Sequence, residues 1–336
     1  VSEAIQKTGK IQAPAGAPYS RILGFGAYRP SRVVSNEEMC TIIESTPEWI
    51  EQRTGITERR WSTEEETLAV MSESASRQAI ERAGIAPEQI DLVIVATVSH
   101  HQITPGLAPQ LAYALGAGTA AAYDISAACA GFCYALAQAD ALIRTGAATH
   151  ALVVGAERLS QITEFSDRST AFLFADGAGA AVVGPSDTPG IGPVVWGSDG
   201  ASAEVIHAPL TTEWEGEGLP KLKMDGQPVF KWASTSVARK TVEMLDRAGI
   251  TVDELEVFIP HQANNRITDA MIRTLRLPEH VTVARDIKKQ GNTSAASIPL
   301  AIETLYAEGQ GHSGQVALIV GFGAGLVYAG QVIVLP

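Results

Sequence analysis

The chain has 336 residues, 46% of them hydrophobic and 18% charged, which excludes a disordered polypeptide and leaves room for two ordinary domains with full cores. Twenty-five Lys and Arg against 37 Asp and Glu give a net charge of −12, so no global positive field is available to draw nucleic-acid phosphates. The three cysteines, Cys40, Cys129 and Cys133, are too few for a disulfide scaffold, and without a signal-peptide core or an apolar run of about 18 residues a cytoplasmic protein with no membrane contact is expected.

In chain order, residues 1–20 read as a flexible N-terminal extension, polar and spotted with Gly and Pro. Apolar runs then alternate with helical spacing: strands at Val93–Val98, Ala121–Ile125, Ala151–Gly155 and Ala178–Val183, and helices at Leu107–Leu115 and Ala130–Arg144. Continuous apolar strands between helices indicate an α/β sheet covered on both faces. The second half repeats the order, with strands at Val257–Pro260, Val281–Ala284 and Val316–Gly321 and helices at Asn265–Leu275 and Ser297–Ala307. Asp124 and Leu152 stand 28 residues apart and their counterparts Asp286 and Leu318 stand 32 apart. Two matches in order at similar spacing predict a duplication. The expected organisation is one α/β half over 21–190, a connecting and capping segment over 191–230, and a second half over 231–336. The Gly-, Pro- and Trp-rich stretch 184–226 is a long loop of the kind that covers active sites.

Cys129 lies between a strand end and an Ala-rich helix, in Ser126-Ala127-Ala128-Cys129-Ala130-Gly131-Phe132. A thiol there feels the positive end of the helix and its free N–H groups, which favours thiolate. Local context alone leaves it open between a nucleophile and a small core residue. Cys133, a turn later, reads as core, and no further Cys/His cluster completes a metal site. His261 follows an apolar strand, at the carboxyl end where ligands bind in α/β sheets; its local sequence alone favours a capped loop histidine. Asn292 sits in a Gly-led turn that the repeat places opposite the Cys129 loop. Gly321-Phe322-Gly323-Ala324-Gly325 allows backbone N–H groups to point into a site, as a tight turn also does. His100 and His101 read as loop residues.

Together these segments resemble the β-ketoacyl-acyl carrier protein synthase III family of thiolase-like condensing enzymes, most closely its actinobacterial branch. The matching pieces are Glu48-Trp49-Ile50 with Arg53-Thr54-Gly55-Ile56, Ala127 to Phe132, Phe174 to Ala180, Pro260-His261-Gln262-Ala263-Asn264 and Gly291 to Ser297. The resemblance implies a thiolase-like fold, two related halves in a five-layer αβαβα arrangement, and a Cys129-His261-Asn292 triad. Cys129 would take an acyl group from acyl-CoA. His261 and Asn292 would hold the thioester carbonyl of malonyl-acyl carrier protein while carbon dioxide leaves. The N–H groups of Cys129 and Ala324 would form the second anion site, with Phe322 as a wall of the decarboxylation side.

The same resemblance implies that Trp49 and Arg53 sandwich the CoA adenine with Arg168 nearby. Gly226, Phe230 and Asn264 would line the pantetheine tunnel. Thr104, standing where acetyl-preferring members carry a Phe that reaches into the partner subunit, implies a wider acyl pocket and a homodimer. Arg266 matches a docking Arg for the acidic carrier protein, with Lys231, Arg273 and Arg276 as neighbours. Residues 221–289 carry 12 basic and 9 acidic side chains while the rest carries 13 and 28, so this region alone has an attracting field. No cofactor is implied beyond the substrate acyl-CoA. A priming ketosynthase or acyltransferase of a polyketide pathway is the alternative. A thiolase would need a second catalytic Cys.

Overall fold

The structure, a computed structural model, describes residues 14–336. Two five-stranded sheets organise the chain. Sheet one contains β1 (Tyr19–Tyr28), β2 (Leu92–Ala96), β3 (Ala121–Ile125), β4 (Ala151–Arg158) and β5 (Asp176–Ser186), in the order β1-β5-β4-β2-β3. Sheet two contains β6 (Val195–Gly197), β7 (Val257–Pro260), β8 (Thr282–Val283), β9 (Val316–Gly323) and β10 (Val327–Val334), in the order β6-β10-β9-β7-β8. The two orders are identical once each number is raised by five, and so are the directions. The β2–β3, β2–β4, β7–β8 and β7–β9 pairs are parallel; the pairs involving β5 or β10 are antiparallel.

Alternation along the apolar strands explains the layers, because successive side chains point to opposite faces. Ile94 and Val153 of sheet one and Ile259 and Ile319 of sheet two share one buried cluster between the sheets. It is filled by two helices, α4 (Gly131–Arg144) and α8 (Ser297–Ala307). The intervening residues Val93, Val95, Leu152 and Val154 turn outward against α2 (Leu68–Ala83) and α3 (Leu107–Leu115). Phe258, Leu318 and Val320 turn outward against α6 (Ala238–Ala248) and α7 (Asn265–Leu275). Helix, sheet, helix, sheet, helix is thus the observed stacking. Two shorter helices, α1 (Pro47–Thr54) and α5 (Gly226–Trp232), lie beside it.

The duplication extends to backbone detail. Ala128, before α4, has φ 45°, and Ser294, before α8, has φ 48°. The four extra residues in the second copy are the helical turn Ile287–Gln290. The expected boundaries shift in two places. Residues 1–13 of the expected extension lie outside the described residues, but the chain is tied down before residue 21: Ala17 N donates to Ile143 O at 3.3 Å and β1 opens at Tyr19. Inside 191–230, Val195–Gly197 pairs with β10 as an edge strand. The same segment also forms a small ribbon, Ile206–His207 against Lys223–Met224. No helix among the described residues is long and apolar enough to cross a membrane.

Candidate active site

Cys129 lies in a short 3-10 turn, Ala128–Ala130, that leads directly into α4. Ala128 bends the chain through the left-handed region to set the thiol there, a conformation that an Ala adopts only under constraint from its surroundings. The constraint is visible in the packing. A methyl placed on Gly155 of β4 would meet Ala295 O at 2.2 Å, and one on Gly323 would meet Cys129 N at 2.8 Å and its Sγ at 3.0 Å. Only glycine lets the two halves close this tightly at the sulfur. Burial pushes the Cys129 thiol up to about 12, opposed by the Ser294 hydroxyl and its own amide. The start of α4 also acts against that rise.

His261 follows β7 and is 2% exposed. Its backbone N donates to Val320 O at 2.7 Å. Nδ1 lies 2.7 Å from Ser297 Oγ, and the same oxygen accepts from Gln262 N at 3.3 Å. In the tautomer in which the Ser297 O–H donates to Nδ1, the ring proton sits on Nε2. Burial pulls the imidazole down to about 3, so it is neutral at physiological pH and serves as an N–H donor. Phe322 packs edge-on to it at 5.2 Å.

Asn292 is stitched to the segment before β5: its N donates to Leu173 O at 2.8 Å and its O accepts from Ala175 N at 2.9 Å. Its side-chain Oδ1 accepts from Ser294 N at 2.9 Å. With that oxygen engaged, Nδ2 remains as the donor. Gly291 makes the approach possible, with φ 74° and no room for a side chain beside Arg59 and Ala175.

Cys129, His261, Asn292, Phe322 and Ala324 all line one cavity of about 840 Å³. Its outer part includes Trp49, Arg53, Gly226, Phe230, Asn264 and Arg266. Asn264 caps α7 through Arg266 N and donates to Arg53 O at 3.1 Å, joining the two halves at the mouth. Arg266 lies over the Phe230 ring at 5.4 Å. Trp49 has Arg53 at 5.5 Å and Arg168 at 6.0 Å from its ring. A base stacked between two planar groups needs about 7 Å, twice a contact distance of about 3.5 Å, so Arg53 must swing aside to admit one.

Other expected residues fall elsewhere. Arg168 reaches Trp49 but does not line the cavity; Ser169 does. Thr104 is exposed on its own chain and is not part of the cavity. Lys231, Arg273 and Arg276 are exposed and outside it. Arg266 is both exposed and a cavity residue, so it serves the mouth as well as any docking face.

Sequence reasoning passed over apolar residues that line the same cavity, Val98, Leu159, Phe174, Ile206 and Leu222. Only the Gly- and Pro-rich stretch carrying the last two gave a signal. It also passed over Glu157, wholly buried at the carboxyl end of β4. The one available clue was an acid closing an otherwise apolar strand.

With this geometry described, the comparisons with known proteins are specific. Residues 123–200 match the family model of 3-oxoacyl-(acyl-carrier-protein) synthase III, and residues 245–335 match its C-terminal model. The β-ketoacyl-acyl-carrier-protein synthase III of Streptomyces glaucescens is 54% identical over 331 residues, covering 97% of this chain and 99% of its own. The mycobacterial synthase III of Mycobacterium avium is 45% identical over 333 residues, with the same coverages of 97% and 99%. Among solved structures, the priming β-ketosynthase of the R1128 polyketide pathway superposes with a TM-score of 0.94 at 49% identity, over 98% of this chain and 99% of that one. The 3-oxoacyl-acyl-carrier-protein synthase III of Aquifex aeolicus gives 0.88 at 38% identity, over 94% and 99%.

Proposed function

The chain belongs to the β-ketoacyl-acyl carrier protein synthase III family, and from that premise we propose how its residues divide the reaction. The enzyme is an acyltransferase that condenses an acyl-CoA primer with malonyl-acyl carrier protein, with loss of carbon dioxide, to a 3-oxoacyl-acyl carrier protein. Cys129 Sγ attacks the primer thioester, and CoA leaves as its thiol. Malonyl-carrier protein then enters, and its thioester carbonyl accepts hydrogen bonds from His261 Nε2–H and Asn292 Nδ2–H. These two neutral donors stabilise the enolate as the carboxylate departs, beside the apolar edge of Phe322. The enolate carbon attacks the acyl-Cys129 carbonyl, whose oxyanion is held by the N–H groups of Cys129 and Ala324. Collapse of that intermediate releases the product and the Cys129 thiolate, which takes one proton from solvent to regenerate the thiol.

The observation that carries this reading is the buried His261 ring, tied through Nδ1 to Ser297 Oγ, on the same cavity as Cys129 and Asn292. A protonated His would be a charge; a neutral one with Nδ1 engaged is a fixed donor, which decarboxylation needs. The test is intact-mass analysis with acyl-CoA alongside carbon dioxide release from malonyl-carrier protein. Cys129→Ala takes no acyl group, whereas Cys133→Ala does. His261→Ala and Asn292→Ala still accept acyl but lose decarboxylation by about 10²–10³-fold, the usual cost of a missing oxyanion donor. Equal losses in both steps would overturn the division. Role in a polyketide pathway is the second reading, favoured by the likeness to the R1128 priming β-ketosynthase; a primer panel and gene neighbourhood separate the two.

The proposed working unit is a homodimer with Thr104 near the partner's acyl end. Ile103 supports it, being 98% exposed beside Thr104 with nothing in its own chain to cover it. The proposed carrier-protein face lies on the second half around Arg266, Lys231, Arg273 and Arg276.

A further inference from the structure

Acylation must remove a proton from Cys129, and the triad supplies no resting base. His261 is neutral and held far below the usual imidazole range by burial, so it takes up a proton poorly. A different acid stands close by. Glu157 is 0% exposed at the end of β4. Its carboxylate accepts from Ser99 Oγ, from Val98 N at 3.2 Å and from Thr97 Oγ1 at 3.3 Å. Among the described residues no cation pairs with it. The neighbouring Arg158 sends Nε to Ser62 Oγ at 2.8 Å and a terminal nitrogen to Thr63 O at 3.0 Å. A buried carboxylate without a counter-charge is costly, and an isosteric Gln would satisfy the same hydroxyls and N–H. A purely structural role therefore does not account for an acid at this position.

Ser294 links this acid to the nucleophile. It is 3% exposed and its Oγ makes no hydrogen bond, an unusual state for a buried hydroxyl. It lines the same cavity as Cys129, and its turn, Ser294–Ala296, packs against both the Cys129 turn and β4, the strand that carries Glu157. Its left-handed backbone, φ 48°, holds it in that position.

We propose that Ser294 and Glu157 form a proton relay for Cys129, with the unpartnered Ser294 hydroxyl turning between the sulfur and the carboxylate and Glu157 acting through it as a positioning residue and temporary proton store. As Sγ attacks the acyl carbonyl, the S–H bond breaks, its proton passes to Ser294 Oγ, and the Ser294 proton passes to Glu157. The carbon–sulfur bond to CoA then breaks, and the proton returns by the same route to the departing CoA sulfur. Atoms and charge balance with no outside reactant. Burial lifts Glu157 to about 7, so a large fraction of the enzyme carries the carboxylate near neutrality. Ionised Glu157 also raises the thiol through like-charge repulsion, as expected of two acids sharing one proton. The other ionisable groups around this end of β4 are occupied elsewhere. Asp176 of β5 is held by Ser62 and Ser160, and His101 faces Gln161 and Arg158.

The inference rests on Cys129 being the acylated residue, and the test separates the two. The rate of Cys129 acylation by acyl-CoA is followed by intact mass and peptide mapping from pH 5.5 to 9 in the parent, Glu157→Gln, Glu157→Asp and Ser294→Ala. The expected parent profile rises with a midpoint near neutrality. Glu157→Gln and Ser294→Ala lose that midpoint and fall about 10²-fold, in the range of a removed proton-transfer group, while Glu157→Asp recovers part of the rate and keeps a midpoint. Carbon dioxide release, measured in parallel, falls at least tenfold less than acylation. If Glu157→Gln does not fold, Ser294→Ala decides, since Ala128 shows that Ala accepts the equivalent backbone. Acylation at the parental rate with the parental profile in either variant overturns the relay. An acyl group mapped to another residue overturns the Cys129 assignment itself.

Discussion

Substituting Gly323 with Ala tests how closely the second half presses on the nucleophile. Gly323 has φ −174°, extended backbone that Ala adopts freely, so the effect is purely one of contact. The new methyl would lie 3.0 Å from both Cβ and Sγ of Cys129 and 2.8 Å from its N. Relaxed contacts are about 3.5–4.0 Å, so sulfur and backbone must retreat by roughly 0.5–1 Å. A displacement near 1 Å at a reacting atom costs on the order of 10²-fold, and the overpacking itself costs about 1–3 kcal/mol. Gly323→Ala should therefore lower the Cys129 acylation rate about 10²-fold, with a drop of a few degrees in Tm. Stopped time courses by intact mass measure the first and thermal unfolding the second. Gly118→Ala, where nothing lies within 4 Å, is the control. Acylation within twofold of the parent at the parental Tm would refute the contact argument.

Other outcomes follow from the same geometry. Glu157 is raised from 4.5 to about 7, so its neutral form stabilises the fold fully below about pH 4.5, and that contribution is lost as pH rises through 7. Glu157→Gln should gain on the parent in urea by up to about 1.4 kcal/mol per pH unit across that window, whereas parallel stability profiles would refute the buried acid. Arg273→Glu, on the outer helix and clear of the cavity, should raise the KM for malonyl-carrier protein and leave that for acyl-CoA alone. That penalty should shrink with salt, and a salt-independent effect would count against docking there. Thr104→Phe should move kcat/KM from branched or longer primers toward acetyl-CoA; an unchanged primer profile would remove Thr104 from the pocket.

Much of this molecule was readable from its residues where contrast was high. Val93 to Ala96, Leu152 to Val154 and Leu318 to Val320 announce strands covered on both faces. Leu107–Leu115 was located to the residue. The first strand and α2 were missed together and for one reason. Glycines at 24 and 26 sit so close to α2 that a methyl would meet its backbone at 2.4 and 2.1 Å, and α2 answers with Ala and Ser on its buried face. Close backbone packing erases the apolar pattern that marks an element. In the site, Cys129, His261 and Asn292 stand in dense, characteristic segments. Glu157 does not, because its meaning depends on the distant residues Ser99 and Ser294 that the fold brings beside it. Arg168 and Ser169 show the limit of transfer by position: the neighbour lines the cavity while the expected residue touches Trp49.

The matched turns at Ala128 and Ser294 have a further consequence. Both are 3-10 turns opening on a left-handed residue, φ 45° and 48°, and by that register Ala295 occupies the place of Cys129, while Ser294 occupies the place of Ala128. Each loop therefore lacks the functional group that the other presents. A sulfur on one side and a hydroxyl on the other line one cavity only because the copies diverged in side chain and not in shape. Neither loop can stand in for its twin after damage. Redundancy protects the form of the site and leaves its chemistry without a reserve.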